Sequence, residues 1–298
     1  MFTRLRHTLF TTTLVTASVA VPMASTEVPA PVPAATPAGF TEARYAAVRR
    51  GILAAERMAA GHGQRRRAGA LRAMADPGRR FLFFDGRDGG RSAEVFGDLS
   101  TAGRVAVLVP GSDTSLDRYG RLQAGAQALR RELGDRAAVV AWLGYKTPRT
   151  LSATVLTPAR AEGAVPGLQA LVRELGPSRV SLVCHSYGTV VCGRAAAGPV
   201  GMASIILYGG AGTGTTTALR TTTPVWAARG TDDWISAVPH AQFRLPFLTL
   251  GLGLDPVSPE SGARRFAAGA AAHSDYLRPG SLSLRNIAAI VSGATPRA

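Results

Sequence analysis

Val180-Ser181-Leu182-Val183-Cys184-His185-Ser186-Tyr187-Gly188 carries an apolar run directly into His-Ser-Tyr-Gly, and residues 189–197 after it suit a helix. The run is too short for a helix and is rich in valine, so it reads as a buried strand. Strand, sharp turn and helix in that order put Ser186 on the turn. Such a turn strains the serine backbone until its hydroxyl stands clear of the sheet, and it requires small residues on either side. Gly188 supplies one of them. Cys184 stands where a glycine is usual, so its side chain must find room in a tight place.

The pattern repeats outward from this stretch. Short apolar runs at 81–84, 105–109, 137–143, 204–208 and 225–228 read as further buried strands, while 116–133 and 162–175 carry apolar residues at helical steps. Residues 40–74 read as two helices broken at Gly61-His62-Gly63, and 281–290 as a C-terminal helix preceded by an alanine-rich one. The alternation predicts an α/β fold, a mainly parallel doubly wound sheet with N-terminal helices. Only residues 209–223 separate the last two strands, so no large cap domain is expected there. Segments 144–166 and 237–262 are the expected pocket walls.

Of 298 residues, 46% are hydrophobic and 18% charged, a globular composition that excludes a disordered chain. The net charge of +15 comes almost wholly from scattered arginines, Lys146 being the one lysine. Arg65-Arg66-Arg67 has no interleaved aromatics on which bases would stack, so no nucleic-acid partner is expected. Attraction to anionic surfaces remains compatible with the charge. Residues 1–30 begin with Arg4 and Arg6 before an apolar stretch over 9–21, which reads as a signal peptide and predicts secretion. An uncleaved membrane anchor is the alternative. A Pro/Ala run over 28–37 packs nothing, so 31–39 is assigned as linker and 40–298 as the catalytic domain. Cys184 and Cys192 are expected as buried free thiols, since a strand-to-helix pair so close in sequence rarely meets disulfide geometry.

A serine hydroxyl needs a base within hydrogen-bond reach and a carboxylate to orient that base. On a sheet of this kind the chain order is serine, acid, histidine. The turn after the last strand reads Gly230-Thr231-Asp232-Asp233-Trp234-Ile235; Asp233 is the first candidate acid and Asp232 the alternative. His273, in His273-Ser274-Asp275-Tyr276-Leu277, is the candidate base, whereas His7, His62 and His240 lie in the wrong places. The His185 side chain is expected to point away from the hydroxyl. For the oxyanion, the Tyr187 amide follows the serine, and Pro110-Gly111-Ser112-Asp113 after strand 105–109 offers the Ser112 amide. Tyr145, Trp234 and Phe247 are candidates to line an apolar acyl pocket. Neither zinc-ligand spacing nor a P-loop is present, so no metal or cofactor is expected, and Asp255 is read as shaping a loop.

Several segments taken together, VLVPGSD, AWLGY, LVCHSYGTVV, GTDDWI, GLGLDPVSPESGARRF and HSDYLRPGSLSLRNIA, resemble an α/β-hydrolase family of high-GC bacteria long filed as a domain of unknown function. The resemblance runs from about residue 79 to 291. It implies the α/β-hydrolase fold with Ser186, Asp233 and His273 in the triad positions, and Cys184 departs from the glycine usual there. The expectation is a serine hydrolase that cleaves an ester or related acyl bond of a small-molecule or lipid-like substrate through an acyl-enzyme. Thioesterase, acyltransferase and peptidase chemistry stay open, as does a non-catalytic binding module on the same fold.

Overall fold

The computed structural model describes residues 28–198 and 201–297. The predicted signal segment falls outside the described residues, apart from its last three. No helix among the described residues is long and apolar enough to cross a membrane.

One sheet of eight strands organises the chain, in the order β1-β2-β4-β3-β5-β6-β7-β10. These strands are β1 (Arg80–Asp85), β2 (Arg91–Phe96), β3 (Arg104–Val109), β4 (Ala137–Leu143), β5 (Val180–His185), β6 (Ser204–Tyr208), β7 (Val225–Ala228) and β10 (Arg264–Arg265). β2 is antiparallel to both β1 and β4; the remaining pairs are parallel. A separate hairpin joins β8 (Gln242–Leu245) to β9 (Leu248–Gly251). The helices are α1 (Glu42–Gly61), α2 (Arg65–Met74), α3 (Gly120–Leu133), α4 (Ala159–Leu175), α5 (Gly188–Ala196) and α6 (Leu282–Val291).

Successive side chains of a strand face opposite ways, so each central strand serves two cores. Val105, Val107 and Val109 of β3, with Val180, Leu182 and Cys184 of β5, pack toward α4 and α5. Ala106, Leu108 and Val183 pack toward α1, α2, α3 and α6. Burial on both faces explains why these strands read as unbroken apolar runs.

Each predicted apolar run is a strand, and the structure adds four that the pattern did not show. β2 was hidden because it carries Arg91, Ser92 and Glu94; the Glu94 carboxylate is buried and held by Arg79 through bonds of 2.6 and 2.8 Å. The hairpin strands and β10 are too short to show a period. The predicted alanine-rich helix before His273 is absent. There the backbone turns outward: Phe266 donates to the Ala227 carbonyl, Thr231 donates to the Gly269 carbonyl, and Gly269 takes φ +62°. The Pro/Ala run is not wholly free either, since Val28 and Ala30 pack against the α1 side of the core.

The cysteines are the main correction. Cys184 and Cys192 form a disulfide with Cα atoms 6.5 Å apart, inside the range a disulfide spans. The strand alternation that sends Cys184 toward α5 is the reason. The sharp turn at Ser186 folds α5 back over that face, so a residue eight positions on meets the strand it came from. Cys184 thus directs its side chain into the helix layer and leaves the turn unobstructed. Thiol titration of the unreduced protein in denaturant is expected to find no free cysteine. Cys184→Ala/Cys192→Ala is expected to lower stability by about 2–3 kcal/mol, read from the shift in the denaturation midpoint.

Candidate active site

Ser186 closes β5 and opens α5 with φ +53°, a left-handed conformation rare for a residue with a side chain. Its N–H donates to the Tyr208 carbonyl (3.2 Å), and its own carbonyl accepts from the Thr189 and Ala211 amides and the Thr189 hydroxyl. Two glycines make room for it. A Cβ on Gly188 would lie 2.5 Å from the Val109 carbonyl oxygen, and one on Gly111 would lie 2.6 Å from the Cβ of Ser186. Gly111, only part of a turn in the sequence, is therefore a requirement of the serine.

The structure brings Ser186, His273 and Asp233 together. His273 Nε2 lies 3.0 Å from Ser186 Oγ, and His273 Nδ1 lies 2.8 Å from Asp233 Oδ1. With the carboxylate on Nδ1, that nitrogen carries the proton and Nε2 faces the hydroxyl as acceptor. Asp233 is buried and also accepts from the Ile235 amide (2.9 Å) and, on Oδ2, from the Tyr276 hydroxyl (2.5 Å). Burial alone would raise the Asp233 carboxyl, but the bonds from His273, Tyr276 and Ile235 outweigh it and hold the group below its usual value. Asp232 is exposed and takes the Thr231 hydroxyl instead. Asp255 pairs with Arg229 and caps the Val257 amide, as a loop-shaping residue does.

Two aromatic neighbours had no supporting contact assigned to them from the sequence. Tyr276 bridges Asp233 to the Gly230 amide, which donates to its hydroxyl at 2.9 Å. His185 does not touch the serine hydroxyl, but its Nε2 donates to the His273 carbonyl at 2.7 Å. Its ring lies 5.1 Å from Tyr208 and 4.8 Å from His273. Burial, with His273 beside it, pushes the His185 imidazole down to about 3, so it stays neutral. The sequence signal for each was proximity to Ser186 or His273; it set His185 away from the hydroxyl but gave neither ring its partner.

A cavity of about 590 Å³ opens over Ser186. Ser112 and Tyr187 line it, and neither N–H has an acceptor among the described residues. The loop bearing Ser112 is pinned from behind: Tyr145 donates to the Pro110 carbonyl (2.6 Å), and the Asp113 carboxylate holds Thr150. The Tyr187 hydroxyl donates to the Thr157 carbonyl (2.6 Å), which fastens the 144–158 segment to the turn. Of the predicted pocket residues, Trp234 lines the cavity and lies against His273, with ring centres 4.6 Å apart. Tyr145 does not line it, because its ring is buried between Trp142 and Tyr187. Phe247 does not either; it sits fully exposed in the turn of the β8–β9 hairpin. Both predicted wall segments do contribute, through Val155 and Leu156 and through Val238 and Leu252.

A sequence profile described as alpha/beta hydrolase matches residues 85–243, more than half of the chain. The chain belongs to the alpha/beta hydrolase family. Two uncharacterized proteins of Mycobacterium tuberculosis are each 30% identical over 245 residues, covering 68% of this chain. The chain spans 37% of the length of these relatives. Among solved structures, a lidless serine hydrolase of Xanthomonas campestris aligns with TM-score 0.46 and 16% identity, over 72% of this chain and 92% of its own. A hormone-sensitive lipase from a metagenome library aligns with TM-score 0.49 and 10% identity, over 82% and 97%.

Two measurements check the supporting shell of this alpha/beta hydrolase. Tyr276→Phe leaves Asp233 Oδ2 without its donor and is expected to cost about 1.5–3 kcal/mol of stability in chemical denaturation. His185 has a folded value depressed below its ordinary 6.5, so the unfolded chain binds the extra proton. Stability then falls as pH is lowered from 6.5, by at most about 1.4 kcal/mol per pH unit from this group. Between pH 6.5 and 5, before carboxylates titrate, His185→Phe is expected to flatten the slope of unfolding free energy against pH.

Proposed function

We propose that the protein is a serine ester hydrolase working through an acyl-enzyme. The observation that carries this reading is the continuous contact from Ser186 Oγ through the His273 ring to Asp233, at 3.0 and 2.8 Å. Ser186 Oγ attacks the acyl carbonyl while His273 Nε2 takes its proton, and the Tyr187 and Ser112 amides receive the oxyanion. The tetrahedral intermediate collapses, His273 returns the proton to the departing alcohol, and the acyl group stays on Ser186. Water, deprotonated by His273, then attacks the acyl-enzyme, and the carboxylic acid leaves as Ser186 regains its proton. Asp233 keeps its charge throughout, fixing the tautomer of His273 and stabilising the imidazolium.

Val155, Leu156, Trp234, Ile235, Val238 and Leu252 form an apolar wall to the cavity, which supports an apolar acyl group. The buried disulfide and the signal-like first thirty residues support export to an oxidising compartment.

A fluorophosphonate probe is expected to label the protein and to leave Ser186→Ala unlabelled. Folded protein that resists labelling would mean a non-catalytic binding module. Asp233→Asn is expected to lower kcat by about 10³–10⁴-fold, and Asp232→Asn to leave it unchanged. Gly111→Ala sets a methyl group 2.6 Å from the Cβ of Ser186 and 3.0 Å from the His185 carbonyl oxygen, and is expected to cost at least about 100-fold in kcat together with a lowered melting midpoint. Across p-nitrophenyl esters, kcat/KM is expected to rise from acetate toward medium acyl chains.

A further inference from the structure

Among the described residues, seven large hydrophobic side chains are exposed, and six of them stand on segments that border the Ser186 cavity. Leu151 and Leu156 are on the 144–158 segment, Trp234 follows Asp233, and Phe243, Phe247 and Leu248 are on the β8–β9 hairpin. Leu156 and Trp234 line the cavity while remaining more than half exposed. The hairpin is rooted in the wall at both ends, since Val238 before it and Leu252 after it line the same cavity. Its turn residue Phe247 and the strap residue Leu151 are almost wholly in solvent, at 101% and 97% exposure. A collar of this kind marks an interaction surface, because exposed apolar residues elsewhere on a soluble protein are scattered singly.

The charge beside the collar says what it meets. Arg121, Arg131 and Arg278 are exposed and border the cavity from the α3 side, and none has a carboxylate partner among the described residues. The one carboxylate lining the cavity, Asp113, is committed to Thr150. The chain as a whole carries +15. A second copy of this face would bring arginines against arginines. An anionic lipid surface answers both features, since its phosphates receive guanidinium groups and its interfacial zone accepts Trp, Phe and Leu.

We infer that this face docks on the surface of anionic phospholipid, with the hairpin and strap side chains in the interfacial region and the arginines on the headgroup phosphates. The protein then lies on the membrane without crossing it, and the cavity mouth opens toward the acyl chains. The inference does not depend on which bond Ser186 cleaves.

Vesicle flotation of the Ser186→Ala protein tests it free of any turnover, so a failed esterase assay leaves this result standing. Binding to vesicles of phosphatidylglycerol and phosphatidylcholine is expected to exceed binding to phosphatidylcholine alone by at least about tenfold and to weaken with added NaCl. The triple change Phe243→Ser, Phe247→Ser, Leu248→Ser is expected to reduce binding at least about tenfold with an unchanged melting midpoint, since all three side chains are exposed. Tryptophan emission is expected to shift blue on the anionic vesicles and to be quenched by brominated lipid, a response that Trp234→Phe removes. Equal binding by the triple variant, equal binding to both vesicle types, or a dimer in sedimentation that the triple variant abolishes would each overturn the proposal.

Discussion

The left-handed backbone at Ser186 is the constraint on which the rest of the site depends. A residue with a side chain pays roughly 1–2 kcal/mol to sit at positive φ, so the conformation persists only where the surroundings leave no alternative. Here β5 and α5 are both locked into the sandwich, the Ser186 N–H is tied to Tyr208, and its carbonyl is engaged three times over. Gly111 and Gly188 give up their side chains to let the backbones approach. Behind the turn, the Cys184–Cys192 bond joins the strand to the helix that leaves it. The outcome is a hydroxyl aimed outward from the sheet and toward His273.

The partners of that hydroxyl sit on loops, which on their own would not hold a position within half an ångström. They are held by buried polar bonds that each satisfy two groups at once. Asp233 caps the turn after it, orients His273 and receives Tyr276, while Tyr276 in turn takes the Gly230 amide. His185 reaches from the serine turn to the carbonyl of His273, so the strand that leads into Ser186 directly supports His273. On the other side, Tyr145 and Tyr187 fasten the Ser112 loop and the 144–158 strap. A satisfied network of this kind rigidifies its members, because in a water-poor interior each unmade bond is costly.

The strands that face two helix layers were readable from their unbroken apolar runs; Ser186 and Asp233 were singled out by the strands they follow, and His273 by its loop near the C-terminus and the chain order expected on such a sheet. Glu94 made β2 invisible, because a buried carboxylate looks like surface until its arginine is known. The alanine-rich stretch before His273 has the composition of a helix, but its backbone bonds are claimed by β7 and the turn after it. Tyr145 and Phe247 had the chemistry of pocket residues, and only packing distinguished a ring buried behind the site from one standing in solvent.

Local pattern by itself determined the layers of the sheet, the turn that carries Ser186 and the chain order of its partners. Those features depend on periodicity and on residues close in sequence. The tertiary structure decided whatever depends on direction. It set Asp233 rather than Asp232 against His273, joined Cys184 to Cys192, packed Gly111 against Ser186 and turned His185 toward the back of His273. The physical reason is the same in each case. A one-residue step reverses the facing of a side chain on a strand or turn, and which facing finds a partner is settled only when distant segments arrive beside it.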